Sequence, residues 1–137
     1  NADRLTWGVD GAVGWGGFSL TAAYSMATWD NSDFGNEFDG ASWLVQAGYL
    51  FPDTAWEIAA RYDAYSLDPT NGGTIGGTEI GVAVNYYIDG HADKVTLDAA
   101  FIQADDNGNF MADTYAGYSP TGDSDAMLLR LQWQLAL

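Results

Sequence analysis

Cysteine is absent from the 137 residues, which excludes a disulfide framework and a thiolate metal site. Positive charge is scarce: four Lys and Arg stand against 19 Asp and Glu, for a net charge of −15. A surface of that sign repels phosphate backbones and excludes nucleic acid as an expected partner. No apolar run approaches the roughly 18 residues of a membrane-spanning helix. No segment has helical periodicity, and the first residues lack the charged and then apolar stretches of a secretory signal. These absences describe a soluble protein unless the chain crosses a membrane as strands, which show only alternate residues to lipid. Glycine and aromatic residues are plentiful, at 17 residues and 15%, and favour an all-β chain over a helical one.

The stretch Trp43 to Tyr65, WLVQAGYLFPDTAWEIAARYDAY, sets the pattern. Trp43, Val45, Ala47, Tyr49 and Phe51 alternate with Leu44, Gln46, Gly48 and Leu50. Beyond Pro52-Asp53-Thr54, Trp56, Ile58, Ala60, Tyr62 and Ala64 alternate with Glu57, Ala59, Arg61, Asp63 and Tyr65. A period of two on both sides of a proline turn predicts a long β-hairpin with one apolar and one polar face. The alternation recurs from Leu5 to Trp15 and from Phe18 to Met26, on either side of Gly16-Gly17. It recurs again around Asp89-Gly90-His91-Ala92, and from Met127 to Leu137. Seven strands are therefore expected in a single all-β segment over residues 1–137, near 4–15, 17–29, 41–51, 55–67, 78–89, 93–104 and 125–137.

Connections alternate in length, short at 15–18, 52–54 and 89–93 and long at 30–40, 68–77 and 105–125. In an antiparallel up-and-down sheet this collects the short turns at one end, as in a bacterial transmembrane β-barrel of the outer membrane. Trp15, Phe18, Tyr49, Phe51, Trp56, Tyr86 and Trp133 fall near that end, where they would form an interfacial aromatic girdle. The polar faces are rich in Gly, Ala and Ser and carry fewer Lys and Glu than a soluble surface, so the apolar face is expected to meet outer-membrane lipid. Alternation alone is met equally by a soluble antiparallel sandwich or small-barrel ligand-binding module with its apolar face inward. Single-chain bacterial barrels have even strand numbers, and an open edge in hydrocarbon leaves backbone groups unpaired. Seven strands thus point to the C-terminal part of a larger barrel whose N-terminal strands precede this segment; the missing signal sequence and initiator Met agree.

Three segments, WLVQAGYLFPDTAWEIAARYDAY, TEIGVAVNYYIDGHADKVTLDAAF and RLQWQLAL, resemble the C-terminal half of the phosphate-selective porin O and P family in order and spacing. The resemblance implies a sixteen-stranded barrel, a homotrimer in the outer membrane, that passes small anions or other small solutes by passive diffusion. It implies no cofactor and no enzymatic chemistry. Phosphate selectivity in the family depends on Arg and Lys lining the pore. The basic residues here are Arg4, Arg61, Lys94 and Arg130, and none of them matches a named phosphate ligand. Leu137 stands where outer-membrane strands commonly end in Phe.

Asp10, Arg61, Asp63, Asp98 and Arg130 fall on polar faces several residues from the short turns, and Lys94 shares that face nearer a turn. If that face lines a lumen, these six form a belt of both signs acting on passing ions. Arg61 and Arg130 read equally well as paired wall residues supporting strand packing, and for Glu57 and Glu79 the wall role is favoured. No catalytic set emerges, because His91 sits in a turn without a converging base and nucleophile. No metal site emerges either: Asp105-Asp106-Asn107-Gly108-Asn109 has its glycine misplaced for a calcium loop and lacks the required Glu. The acidic loops are read as solvated, and Gly8, Gly14, Gly48 and Gly81 as inward positions that relieve crowding.

Overall fold

The computed structural model describes residues 2–31, 36–69, 73–89, 93–104 and 125–135. They form seven strands: β1 (Ala2–Trp15), β2 (Phe18–Asn31), β3 (Asn36–Leu50), β4 (Trp56–Pro69), β5 (Ile75–Asp89), β6 (Asp93–Ala104) and β7 (Ala126–Leu135). All pair antiparallel in one sheet, in chain order from β1 to β7. The first and last strands are not neighbours, so the described sheet is open at two edges. His91, the Asp105–Asn109 segment and Leu137 lie outside the described residues.

The strands extend further toward the long connections than their side chains indicate. Strand β2 continues to Asn31 and β3 begins at Asn36, inside the segment 30–40 expected as a loop; β4 continues to Pro69. Cross-strand pairing is the reason. Thr28 pairs with Asp39, Trp29 with Phe38, and Asp39 with Asp68. Ladder hydrogen bonds, with a Trp29–Phe38 ring contact at 5.9 Å, hold residues that read as solvated one at a time. The first two long connections therefore shrink to residues 32–35 and 70–74, while the third expected loop lies almost wholly outside the described residues. Length asymmetry thus carries less of the barrel assignment than the chemistry of the two faces.

Two short turns have local causes. Gly16 and Gly17 take φ of 55° and 84°, the double positive φ of a type I′ hairpin turn. The Gly17 carbonyl accepts a 2.8 Å hydrogen bond from Leu50 N, and a Cβ on Gly17 would stand 2.4 Å from the Leu50 carbonyl oxygen. In the second turn Pro52 precedes Asp53, whose φ of 57° matches the third position of a type II turn. Thr54 closes it, its N–H and Oγ1 both donating to the Phe51 carbonyl at 3.2 and 2.9 Å.

Burial across the sheet is inverted relative to a soluble sandwich. On the apolar face Leu131, Trp133 and Met127 are 72%, 69% and 66% exposed, and Leu5, Val9, Trp43, Ile80 and Phe101 are exposed with them. The buried Glu79, Asn85, Ala100 and Ile102 all lie on the opposite face. Ala126 and Leu128 pack against the last two. The sheet therefore curls around its polar face, and the soluble reading, which needs the apolar face covered, does not fit. Each of β5 and β7 carries nine residues of apolar alternation, Ile80–Ile88 and Met127–Leu135. Eight steps of about 3.4 Å give about 27 Å along a strand, or roughly 21 Å of height at a 40° tilt, close to the apolar band of an outer-membrane barrel. Replacing Gly17 by Val, which puts a branched side chain at positive φ against the Leu50 carbonyl, is expected to destabilise the folded sheet by about 1–3 kcal/mol. Urea titration of the folded protein in lipid vesicles measures this.

Candidate functional site

The charged belt of the polar face is built by register. Arg61 and Asp63 are two residues apart on β4 and share that face. The guanidinium donates from Nη2 to Asp63 Oδ1 at 2.8 Å and from Nε to Oδ2, a fork that engages both carboxylate oxygens. Opposite Arg61 across the β4–β5 ladder is Gly81, which places no side chain in its way. Asp98 and Arg130 are direct cross-strand partners on β6 and β7, and Arg130 Nε donates to Asp98 Oδ2 at 3.0 Å. Both arginines are thus tied to carboxylates of the same wall. Asp10, exposed on β1, joins neither pair, nor does the half-buried Lys94, which sits in register with Tyr87 and Gln134.

A hydrogen-bonded chain crosses β4, β5 and β6 nearer the short turns. Glu57 accepts from Asn85 Nδ2 at 3.2 Å and from the Tyr87 hydroxyl at 2.6 Å, and Asn85 Oδ1 accepts from Thr96 Oγ1 at 2.6 Å. Gly48 makes room for it, since a Cβ there would come within 2.9 Å of Ser19 Oγ and 3.3 Å of Glu57 Oε1. Glu79 is different. It is 4% exposed, and neither carboxylate oxygen has a hydrogen-bond partner among the described residues.

Two concavities open on the polar face. One of about 710 Å³ lies toward the long connections, with Asp10, Ser25, Ser42 and Asp63 in its lining. The other, about 450 Å³, lies toward the short turns and is lined by Gln46, Glu57, Lys94, Asp98, Arg130 and Gln132 among others. Arg61 and Glu79 line both and lie on the boundary between them. Among the described residues no group of three or more His, Cys, Asp or Glu is arranged to hold a metal.

On the apolar face six of the seven aromatic residues named from the sequence form three contact pairs. Trp15 and Phe18 meet with ring centroids 4.7 Å apart, Trp56 and Tyr86 likewise at 4.7 Å, and Tyr49 meets Phe51 at 5.2 Å. Trp15, Phe18 and Tyr49 share one cross-strand row, whereas Trp56, Tyr86 and Trp133 share another, displaced by two residues toward the short turns. A line of constant height drifts along strands in this way when they are tilted. Trp133 is held by a 2.7 Å bond from Nε1 to Asp93. Aromatics do not gather at one end alone: Trp7 with Tyr24 and Tyr24 with Trp43, at 5.4 and 4.4 Å, form a second row. It lies six residues farther along β2, about 20 Å by strand rise.

A curved antiparallel meander with its polar face inward and an aromatic-flanked apolar face outward is the wall of a membrane β-barrel of the channel type. The sequence profile of phosphate-selective porin O and P matches residues 1–135, and the chain belongs to that family. Its members are outer-membrane porins, which are channels and not enzymes. The match runs well beyond the three segments that carry the resemblance in the sequence. No curated protein matches the chain.

Sequence reasoning separated the two faces and had Arg61, Asp63, Asp98 and Arg130 among its candidates without pairing them, but missed the second aromatic row, the Glu57 chain and the lack of a hydrogen-bond partner for Glu79 among the described residues. The Trp7, Tyr24 and Trp43 alternation was visible; which rings meet depends on register. Substituting Arg for Val82, on the outward face, is expected to cost about 2–4 kcal/mol of folding stability in lipid. The same change at the neighbouring Ala83, on the inward face, should cost much less, and the two chemical-denaturation curves compare them directly. A double-mutant cycle of Asp98→Asn and Arg130→Gln is expected to give a coupling of about 0.5–1 kcal/mol, because the pair is partly open to solvent.

Proposed function

We propose that this wall belongs to a passive diffusion pore of the bacterial outer membrane, its polar face lining a water-filled lumen and its apolar face against lipid. The inverted burial of the sheet carries this reading: exposed Leu131, Trp133 and Met127 outside, buried Glu79 and Asn85 inside. In hydrocarbon the open edges of β1 and β7 would leave backbone groups unsatisfied, so the functional barrel needs further strands on both. Sixteen strands and a homotrimer are the arrangement implied by family. The rows holding Trp15, Phe18, Tyr49, Phe51, Trp56, Tyr86 and Trp133 anchor the periplasmic interface.

Asp10, Arg61, Asp63, Lys94, Asp98 and Arg130 line the lumen in this reading, with unequal parts. Arg61 and Arg130 are neutralised by Asp63 and Asp98 and serve chiefly to brace the wall. The Lys94 side chain has neither ion pair nor hydrogen bond among the described residues, so its ammonium is the contribution of this wall to attracting small anions, phosphate included.

Planar-bilayer recording from the full-length protein tests both levels. An open, ohmic conductance in potassium chloride and potassium phosphate is expected, and its absence would sink the pore reading. Lys94→Gln should lower the chloride-to-potassium permeability ratio about twofold or more, as expected for loss of one unit charge beside a narrow path. An unchanged ratio would remove Lys94 from the selectivity determinants.

A further inference from the structure

We propose that Arg4, Trp29 and Phe38 form a binding site, at the long-connection end of the lumen, for organic anions that carry a flat ring, such as aryl carboxylates. The proposal rests on the pore reading above and narrows the solutes such a pore would capture. The three residues stand side by side in one cross-strand row, Arg4 opposite Trp29 and Trp29 opposite Phe38. By alternation the row shares the face of Asp10, Ser25 and Ser42, which line the larger concavity. It is therefore separate from the outward aromatic rows, and it stands two rows beyond Ser25 and Ser42 toward the long connections. Trp29 and Phe38 meet with ring centroids 5.9 Å apart and planes inclined at 37°. That contact leaves Trp29 50% exposed, with indole surface open to a further ring.

Each part of the row matches one part of such a solute. An added aromatic ring gains offset or edge-to-face contact with the two rings already there. The next row toward the concavity holds Ala27 opposite Gly40, one methyl group and no side chain, which leaves room beside the rings. Arg4 is exposed, and its Nε donates to Thr6 Oγ1 at 3.3 Å. Its Nη groups have no partner among the described residues, so the guanidinium can take a carboxylate. Acids are plentiful at this end, but Asp3 pairs with Asp30, Asp30 with Glu37 and Asp39 with Asp68, all at positions of the opposite alternation. On the face of Arg4 the nearest acids among the described residues are Asp10, Asp63 and Glu79, in a row three steps deeper. Solvent screens charges at such separations, whereas a bound carboxylate touches the guanidinium.

Single-channel recording from the full-length protein in potassium chloride, with benzoate or acetate added, tests the site. Benzoate is expected to reduce the chloride current at concentrations where acetate, the same charge without a ring, leaves it unchanged; equal effects of the two anions overturn the proposal. Trp29→Ala should raise the half-blocking benzoate concentration about two- to tenfold, as for loss of one aromatic contact, and Trp29→Phe should stay near wild type. Arg4→Gln should raise it as well. Phe38→Ala gives the ring readout if the Trp29→Ala barrel does not assemble. A conducting pore whose benzoate block is unchanged in Trp29→Ala or, failing its assembly, in Phe38→Ala overturns the proposal while leaving the pore intact. A wild type that conducts no chloride would instead overturn the pore reading on which it rests.

Discussion

Everything in this chain answers to one requirement: a strand that crosses hydrocarbon must give all of its backbone hydrogen bonds to neighbouring strands. That requirement fixes a meander in which each strand pairs with the ones before and after it, and it leaves side chains as the sole means of adapting to two solvents. With a period of two, one set of residues faces lipid and the other faces water. The usual relation between hydrophobicity and burial is then reversed, so that Leu131 is exposed and Glu79 is enclosed.

The polar face shows how charge is tolerated in such a wall. Carboxylates and guanidinium groups are placed by alternation on one strand, as in Arg61 and Asp63, or by register between two, as in Asp98 and Arg130. Each pair has its partners fixed by backbone geometry, so little side-chain freedom is needed to form it. The Glu57, Asn85 and Thr96 chain does the same with neutral donors. Together these bonds brace a curved surface whose inner side carries, among the described residues, a small apolar cluster of Ala100 and Ile102 with Ala126 and Leu128.

Much of this was legible in the sequence, because period-two patterning is local. The seven strands, the two faces and the short turns follow from residues read in order, as does the family resemblance. Strand ends toward the long connections were not legible. Asp30 and Asp39 look like loop residues until their cross-strand partners are known. The same limit applies to the site. Alternation puts Arg61, Asp63, Asp98 and Arg130 on one face, but which of them meet, and that Glu79 finds no hydrogen-bond donor among the described residues, depends on the offset between strands far apart in the chain.

The two-residue step in the aromatic line between β3 and β4 reaches beyond the rings themselves. Height above the membrane, not position in the ladder, is what the interface preserves, and every strand carries its own offset to reach it. Adding or removing two residues within one strand would keep each side chain on its proper face yet lift that strand's anchors out of the plane shared by its neighbours. Length variation in such a wall is therefore confined to the segments between strands. A change of length between strands leaves those offsets, and with them the depth at which the barrel floats, undisturbed.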